Sequence, residues 1–260
     1  MAMLDGKVAF ITGGASGIGA GAALRFAREG ARIVLADVQT EEGEQVRAEI
    51  VGGGGQALYV TCDVSEPQSV QGAIEAAVKE FGRLDIVMAN AGINGVWTPI
   101  EKLQPEDWDR TLDINLKGTY LTVHFAVPHL KAAGGGSIII TSSVNGNRTF
   151  SSPGASAYST SKAGQVAFMK MMALELGRDN IRCNAVCPGL IHTQIQERTE
   201  QRDTDEIGIE VELPLGSPAL HGGEGEPMDV ADACLFLASE LSRHVSGVEM
   251  YVDGGASLLR

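Results

Sequence analysis

The chain has few cationic side chains for its length of 260 residues. Lysine and arginine together number 20 against 33 aspartates and glutamates, which gives a formal net charge of −13. Nucleic-acid phosphates and anionic membranes repel a surface this acidic, so we expect neither kind of partner. The charge does not exclude a small phosphate-bearing ligand, because a local pocket of backbone N–H groups binds phosphate whatever the net charge.

Cysteine is scarce, and the four cysteines are scattered at positions 62, 183, 187 and 234. Only Cys183 and Cys187 lie close together in the sequence. No second pair and no histidine cluster accompanies them, so we expect no metal site. Buried free thiols in a reducing cytoplasm are the expected state.

Long apolar runs are also missing. No stretch reaches the ~18 apolar residues that a membrane helix needs, and the first residues lack the cationic start and apolar run of a signal peptide. Hydrophobic residues nevertheless make up 44% of the chain. We therefore expect a soluble, globular, cytoplasmic protein.

What the sequence does contain is a regular alternation of short β-branched runs and helical patterns. This alternation predicts an α/β fold with a parallel sheet covered by helices on both faces. No linker, repeat or low-complexity tract divides the chain, so we predict a single domain over residues 1–260, with a loop around Trp97. The predicted strands cover 7–12, 32–37, 56–61, 84–89, 137–142, 181–187 and 249–252, and the longer predicted helices cover 40–51, 67–81, 105–133, the Tyr158 region to 176, and 227–239.

A glycine-rich segment, Gly13-Gly14-Ala15-Ser16-Gly17-Ile18-Gly19, joins the first predicted strand to the first helix. Glycines let a backbone approach a pyrophosphate closely, and a helix start offers unpaired N–H groups and the positive end of a dipole. A structural turn is the alternative interpretation. The position in the first βα unit favours a phosphate-binding loop.

Asp37 ends the second predicted strand, 18 residues after Gly19. A carboxylate at this place can accept hydrogen bonds from adenosine ribose hydroxyls, and its charge repels a 2′-phosphate. The following residues include Glu41 and Glu42, and no lysine or arginine appears before Arg47. This pattern predicts NAD rather than NADP, whereas a simple turn or cap role for Asp37 is the alternative.

Tyr158 and Lys162 are four residues apart in a predicted helix, so both side chains lie on one face with Cβ atoms roughly 6 Å apart. A free tyrosine titrates near ~10 and is a poor base at neutral pH, but a neighbouring ammonium favours the phenolate. The pair is therefore a candidate general acid/base. An ordinary amphipathic helix with an exposed tyrosine and lysine is the alternative.

Taken together, these motifs resemble those of the short-chain dehydrogenase/reductase family over nearly the full length of the chain. The resemblance implies a Rossmann-type, doubly wound sheet of seven parallel strands in the order 3-2-1-4-5-6-7, a nicotinamide cofactor and a homotetramer. The matching segments are Thr12 to Gly19, Asp63-Val64, Asn90-Ala91-Gly92, Asn115, Ser143, Tyr158-x-x-x-Lys162, Asn184, Pro188-Gly189, Thr193 and Val252-Asp253-Gly254-Gly255.

The resemblance also implies a set of cofactor-binding residues. Asp63 and Val64 would contact adenine, and the Asn90-Ala91-Gly92 turn would lie along the riboses. The segment from Pro188 to Thr193 would hold the nicotinamide. The full predicted set is Gly13, Ser16, Gly17, Ile18, Gly19, Asp37, Asp63, Val64, Asn90, Ala91, Gly92, Tyr158, Lys162, Pro188, Gly189, Ile191 and Thr193.

The implied catalytic residues are Asn115, Ser143, Tyr158 and Lys162. Ser143 would hydrogen-bond the substrate oxygen, Tyr158 would exchange a proton with it, and Lys162 would lower the tyrosine pKa and bind the nicotinamide ribose. Asn115 would hold a water that links Lys162 to solvent. Ser142 competes with Ser143, since adjacent residues at a strand end point to opposite faces, and the family pattern favours Ser143.

The segment from about residue 193 to 226 is predicted to form a lid over the substrate pocket. Ile207, Ile209, Val211 and Leu213 alternate there with many acidic residues, which predicts an apolar inner face and an acidic outer face. An acidic lid disfavours a polyanionic substrate. We expect a neutral secondary alcohol or its ketone, of modest size and with cyclic compounds included.

Three functions are compatible with these motifs. The leading one is an NAD-dependent secondary-alcohol dehydrogenase. The second is an NADPH-dependent 3-oxoacyl-carrier-protein reductase, against which Asp37 argues. The third is a non-catalytic nucleotide-binding scaffold, against which the combination of Ser143, Tyr158 and Lys162 argues.

Overall fold

A computed structural model of the chain describes residues 2–208, 220 and 223–259. Its strands and helices alternate as the sequence predicts. The strands are β1 (Val8–Thr12), β2 (Arg32–Asp37), β3 (Gln56–Thr61), β4 (Ile86–Ala89), β5 (Val96–Trp97), β6 (Gly136–Thr141), β7 (Ile181–Pro188), β8 (Glu200–Gln201) and β9 (Glu249–Val252). The helices are α1 (Gly17–Arg28), α2 (Thr40–Gly52), α3 (Pro67–Phe81), α4 (Pro105–Leu112), α5 (Gly118–Ala132), α6 (Ser156–Glu175) and α7 (Pro227–Ala238).

Seven of the described strands form one parallel sheet in the order β3-β2-β1-β4-β6-β7-β9. Leaving aside the two-residue strands β5 and β8, this is the predicted order 3-2-1-4-5-6-7. The predicted fold class, a doubly wound Rossmann-type sheet in one domain, is therefore confirmed.

The sheet separates two apolar cores, and strand β1 contributes to both because its side chains alternate. Val8 and Phe10 face the core shared with α3, α5 and α6, whereas Ala9 and Ile11 face the core shared with α1, α2 and α7. All four side chains are fully buried. Each large apolar side chain buried in this way contributes about 1.5–3 kcal/mol, so the central strands form a rigid support for the loops at their ends.

Several predicted boundaries differ from the structure by one or two residues. The fourth strand begins at Ile86 rather than at Leu84. Thr40 is the first helical residue of α2 and not its cap, because Gln39 occupies the cap position. The Asp37 carboxylate accepts a hydrogen bond from the Gln39 backbone N–H at 3.0 Å, which fixes this turn immediately after the strand.

The helical region predicted over 105–133 is confirmed, but it is not α-helical throughout. A π-helical turn, Asp113–Lys117, separates α4 from α5. At its centre the Asn115 carbonyl oxygen accepts side-chain hydrogen bonds from Thr119 Oγ1 at 2.7 Å and from Gln165 Nε2 at 2.8 Å. Such turns occur frequently at functional sites, and this one carries a residue that the sequence assigns to catalysis.

The loop predicted around Trp97 contains a short strand. Val96 pairs with Glu200 and Trp97 with Gln201, so β5 and β8 form a separate parallel pair. This pair joins the chain after β4 to the first part of the predicted lid. The lid residues that are described are 193–208, 220 and 223–226.

Ion pairs strengthen the same junction. Lys102 Nζ lies 2.8 Å from Asp203 Oδ2 and 2.6 Å from Glu206 Oε2, and Arg202 bonds Asp107 at 3.1 Å. The first part of the lid is therefore fastened to the segment before α4 and to the first turn of α4. The predicted apolar face at 209, 211 and 213 lies outside the described residues.

None of the described helices combines the length and the apolar composition that crossing a membrane requires. All four cysteines lie in the described part of the chain and are buried free thiols.

Candidate active site

A cavity of about 840 Å³ opens where the carboxyl ends of the central strands meet. It is lined by the segments that follow β1, β2, β3, β4, β6 and β7, and by the beginning of the lid. In a doubly wound sheet this edge is the usual ligand site, because the loops on either side of the switch point between neighbouring strands diverge there. The volume suits a ligand of several hundred daltons.

The glycine-rich loop is held in place by Asn90. Its Nδ2 atom donates hydrogen bonds to the carbonyl oxygens of Thr12 at 3.0 Å and Gly13 at 3.2 Å. A Cβ atom at position 19 would overlap the Gly13 carbonyl oxygen, so only glycine lets the loop pack this tightly on α1. Asn90 thus supports the loop as well as lining the cavity.

The start of α1 faces the cavity through Ser16, Gly17 and Ile18. Ser16 precedes the helix in extended backbone, and its side chain makes no capping hydrogen bond. The N–H groups of the first turn are therefore not capped by this side chain, and the positive end of the helix dipole is directed at the same place. This arrangement fits the pyrophosphate of a dinucleotide.

Asp37 lies at the end of β2 beside this loop. One carboxylate oxygen accepts a hydrogen bond from the Ala15 N–H at 3.0 Å, and the other accepts from the Gln39 N–H at 3.0 Å. Tyr59 from β3 donates its hydroxyl to the Asp37 carbonyl oxygen at 2.8 Å. A carboxylate has about four lone-pair positions, so both oxygens can still accept ribose hydroxyls.

Asp63 and Val64 line the cavity beyond Asp37. The Asp63 carboxylate accepts hydrogen bonds from the backbone N–H of Ser65 at 2.9 Å and from its hydroxyl at 2.7 Å. Val64 is buried and offers an apolar surface. An apolar wall next to a turn of fixed shape fits the flat face of a base such as adenine.

Most residues that the sequence assigns to the cofactor share this one cavity. Gly19 is the exception, since it packs behind the loop and is not a lining residue. The predicted residues that line the cavity are Gly13, Ser16, Gly17, Ile18, Asp37, Asp63, Val64, Asn90, Ala91, Gly92, Ser143, Tyr158, Lys162, Pro188, Gly189, Ile191 and Thr193.

Ser143 and Tyr158 meet at the end of the cavity opposite Asp63. Ser143 follows β6, and its side chain interacts with the Tyr158 phenol. Ser142 also lines the cavity, but its hydroxyl donates to the Lys162 carbonyl oxygen at 2.9 Å and its side chain is 3% exposed. Of the two adjacent serines, Ser143 has its hydroxyl beside the phenol.

Burial raises the pKa of Tyr158 above its ordinary value, and the hydrogen bond with Ser143 lowers it in part. The expectation that Lys162 lowers the same pKa stays a prediction. The Lys162 ammonium lies 5.7 Å from the centre of the tyrosine ring and donates to the Thr141 carbonyl oxygen at 2.9 Å. Its own pKa falls to about 8, because the side chain is buried.

Asn115 is fully buried behind the cavity and is not a lining residue. Its side-chain amide donates to the Ile93 carbonyl oxygen at 2.9 Å and to Ser161 Oγ at 3.0 Å, and its oxygen accepts from the Ile93 N–H at 2.8 Å. The amide thus holds the turn after β4 against α6. A water link between Asn115 and Lys162 stays a prediction.

Two lining residues that sequence reasoning missed are Gln39 and Arg198. Arg198 Nη2 donates to Gln39 Oε1 at 2.7 Å although 159 positions separate the two residues. No local pattern in the sequence signals such a contact. Trp97 was also missed, and its ring centre lies 6.4 Å from that of Tyr158.

Comparison with known proteins gives matches over almost the whole chain. A family model described as Enoyl-(Acyl carrier protein) reductase matches residues 13–257. The crystal structure of a 3-ketoacyl-ACP reductase from Sinorhizobium meliloti 1021 is 49% identical, with a TM-score of 0.93 and coverage of 97% of this chain and 100% of that chain.

Two further proteins extend this comparison. The 3-ketoacyl-(acyl-carrier-protein) reductase from Brucella melitensis, solved in complex with NADH, is 34% identical, with a TM-score of 0.85 and coverage of 98% and 99%. Momilactone A synthase of Oryza sativa subsp. japonica is 40% identical over 258 residues, which are 98% of this chain and 92% of that protein. Likeness of this extent, in sequence and in fold, establishes that the chain belongs to the short-chain dehydrogenase/reductase family, whose members are oxidoreductases that use a nicotinamide cofactor.

Proposed function

We propose that the protein is an NAD-dependent oxidoreductase that interconverts neutral secondary alcohols, cyclic ones included, and their ketones. The observation that carries this proposal is the neighbouring pair of Ser143 and Tyr158, whose side chains line one end of the cavity. Two hydroxyl groups side by side can both bind one substrate oxygen, and one of them can exchange a proton with it. The position of Asp37 along the same cavity supports the choice of NAD.

Each residue of this group has a distinct part in the proposed reaction. In alcohol oxidation the Tyr158 phenolate oxygen takes the proton of the substrate hydroxyl, and in ketone reduction the phenol returns it. Ser143 donates a hydrogen bond to the same oxygen and orients it. The nicotinamide, when bound, accepts or supplies the hydride at the carbinol carbon.

Lys162 is suited to serve this proton transfer. Its pKa of about 8 lies near neutral pH, because burial disfavours the ammonium. A bound anion or phenolate beside it favours the ammonium and is itself stabilised in return. This reciprocal effect is the reason for expecting that the Tyr158 pKa falls in the loaded enzyme.

The preference for NAD rests on charge at the ribose end of the cavity. The Asp37 carboxylate has lone pairs for the two hydroxyls of the adenosine ribose, and it repels a 2′-phosphate. Its hydrogen bonds to Ala15 and Gln39 fix its orientation, so the repulsion is not relieved by a simple rotation.

The proposal of a neutral substrate rests on the acidic character of the lid. Glu197, Glu200, Asp203, Asp205 and Glu206 all lie in its first part. Such a surface attracts cations and repels polyanionic ligands. A small alcohol without charge can enter without this electrostatic cost.

A second candidate function is the NADPH-dependent reduction of 3-oxoacyl groups on a carrier protein. The observation that favours it is the 49% identity to the 3-ketoacyl-ACP reductase from Sinorhizobium meliloti 1021. Asp37 and the acidic lid count against it. The third candidate, a non-catalytic nucleotide-binding scaffold, has no need for the Ser143–Tyr158 pair.

One experiment separates the three functions. The wild type and Tyr158→Phe are assayed with NAD and NADP on a panel of linear and cyclic secondary alcohols, and with NADPH on a 3-oxoacyl thioester. We expect NAD reduction with at least one neutral alcohol by the wild type, and about 10²–10⁴-fold slower turnover by Tyr158→Phe. Exclusive use of NADPH on the thioester would favour the second candidate. Dinucleotide binding without turnover on any substrate would favour the scaffold.

A further inference from the structure

Arg198 belongs to the lid segment in sequence but lies at the adenosine end of the cavity. Its Nη2 atom donates to Gln39 Oε1 at 2.7 Å and to Gln194 Oε1 at 3.0 Å. Asp37, Gln39 and Arg198 all line the same cavity. The side chain therefore bridges the mouth of the site from the lid to the turn after β2.

The guanidinium is connected to Asp37 through one side chain. The Gln39 backbone N–H donates to Asp37 Oδ1 at 3.0 Å, and its side-chain amide nitrogen lies 3.5 Å from the same oxygen. A cation and the carboxylate expected to select the ribose thus face the cavity side by side. The two groups have opposite effects on a phosphate placed between them.

Arg198 differs in its partners from the other cations in the lid and in contact with it. Lys102 and Arg202 are each paired with two carboxylates. Within the described residues, Arg198 makes no ion pair and bonds only the neutral amides of Gln39 and Gln194. Its charge is not neutralised by a protein carboxylate in contact with it.

The chemistry of arginine suits a phosphate at this place. Both hydrogen bonds leave from Nη2, whereas a guanidinium carries five N–H donors, so the planar fork keeps donors for an anion. Arg110 and Lys162 are the other cations among the described lining residues. Lys162 is at the opposite end, and neither residue bonds the turn that carries Asp37.

We propose that Arg198 is a cofactor-specificity residue that opposes Asp37 by binding the 2′-phosphate of NADP. This inference rests on the proposed function only in that the cavity binds a nicotinamide dinucleotide. Asp37 makes NAD the preferred cofactor, and Arg198 keeps NADP acceptable. The lid thereby contributes to the choice of cofactor as well as to the substrate pocket.

The test is a set of binding titrations with NADH and NADPH in the absence of substrate. Binding is measured by the fluorescence of the reduced cofactor. The chains compared are the wild type, Arg198→Met, Arg198→Lys, Asp37→Asn and the Asp37→Asn/Arg198→Met double variant. Arg47→Met is the control, because Arg47 pairs with Glu44 on α2 and does not line the cavity. Asp37→Asn keeps an oxygen that can accept the Ala15 N–H, so the glycine-rich loop retains this support.

We expect Arg198→Met to weaken NADPH binding roughly tenfold, the usual effect of losing one charge-assisted hydrogen bond, and to change NADH binding less than about twofold. Asp37→Asn strengthens NADPH binding, and the double variant loses most of that gain. Arg198→Lys keeps part of the effect. The NADPH difference between wild type and Arg198→Met shrinks at high salt, because an exposed charge is screened.

Equal weakening of NADH and NADPH by Arg198→Met would assign Arg198 a merely structural role and overturn the proposal. Unchanged NADPH affinity in the double variant relative to Asp37→Asn would overturn it as well. A wild type that binds the dinucleotides as expected but turns over no alcohol contradicts the proposed reaction and leaves the role of Arg198 supported. The two failures are therefore distinguishable.

Discussion

The Lys162 ammonium lies 5.7 Å from the centre of the Tyr158 ring, one helical turn away, and donates its hydrogen bond to Thr141 instead of the phenol. The lysine side chain is only 4% exposed. Burial lowers its pKa to about 8. The chain therefore holds a cation in its interior at a cost in stability, and the position of that cation beside the candidate acid/base gives a functional reason for it.

Because burial of the charged Lys162 side chain costs stability, we expect the difference in free energy of unfolding between the wild type and Lys162→Met to depend on pH. The unfolded lysine has the ordinary pKa of 10.5 and the folded one about 8, so between these values the unfolded chain binds more protons. The free energy of unfolding of the wild type therefore rises with pH through this window relative to the variant, by about 3 kcal/mol in total.

The measurement is the difference in free energy of unfolding between wild type and Lys162→Met from pH 7 to 10.5, without cofactor. Other titrating groups are common to both chains and cancel. Lys131→Met is the control, because Lys131 pairs with Asp179 on the surface. A difference that stays constant with pH would contradict the lowered pKa.

Replacing Ser142 and Ser143 one at a time distinguishes their roles. Ser143→Ala removes the hydroxyl beside Tyr158, and we expect turnover to fall by about 10²–10³-fold with unchanged folding. Ser142→Ala removes a hydrogen bond to the Lys162 carbonyl oxygen. It should cost about 1 kcal/mol of stability and leave most of the turnover. Steady-state rates and thermal unfolding of both variants test this assignment, and the reverse pattern would transfer the catalytic role to Ser142.

The ion pairs of Lys102 predict a salt-sensitive lid. Its partners Asp203 and Glu206 are about half exposed, so salt screens both contacts. We expect Lys102→Met to raise the KM for the alcohol roughly two- to fivefold with little change in the melting temperature. Raising the ionic strength should produce a similar rise in the wild type and a smaller one in the variant. An equal salt response in both chains would exclude this role for Lys102.

Gly154 is predicted to be intolerant of any side chain. Its φ is +78°, and a Cβ atom would overlap the Thr98 backbone nitrogen and lie 2.9 Å from the Trp97 carbonyl carbon. Gly154→Ala should cost at least about 2–3 kcal/mol through backbone strain and overpacking. It should also lower kcat/KM, because it displaces Trp97 beside Tyr158.

Gly134→Ala is the matched control for this prediction. Gly134 has a similar φ of +87°, but a Cβ atom there meets nothing within 4 Å. Only the backbone strain remains, about 1–2 kcal/mol. Thermal unfolding measures the loss of stability in both variants. Equal losses would mean that the contact with Thr98 does not contribute to the destabilisation of Gly154→Ala.

The sequence predicted the sheet and the family because their signals are local. Each buried strand is a short apolar run, and several cavity residues, such as Asp37 and Asn90, end one of these runs or directly follow it. In a parallel sheet the ends of all strands meet at one edge, so the predicted residues come together once the strand order is known. The strand order came from the resemblance to the family, and the comparisons confirm that family.

The features that the sequence did not predict depend on distant partners or on burial. Trp97 pairs with Gln201, and Gln39 bonds Arg198, across more than a hundred residues of chain. Neither segment has a pattern of its own that indicates its partner. The direction of the Tyr158 pKa is a further example, because it depends on how completely the folded chain encloses the phenol.

The π-helical turn at Asp113–Lys117 has a consequence for insertions and deletions in related chains. A π turn holds one residue more than the α-helical turn that it replaces. Deleting a single residue there would restore a regular helix but rotate α4 by about 100° relative to α5. The side chains of Glu106, Asp109 and Arg110, which line the cavity, would then leave it. The number of residues in this turn therefore fixes the rotation of α4 relative to α5. Substitutions are tolerated there more readily than insertions or deletions.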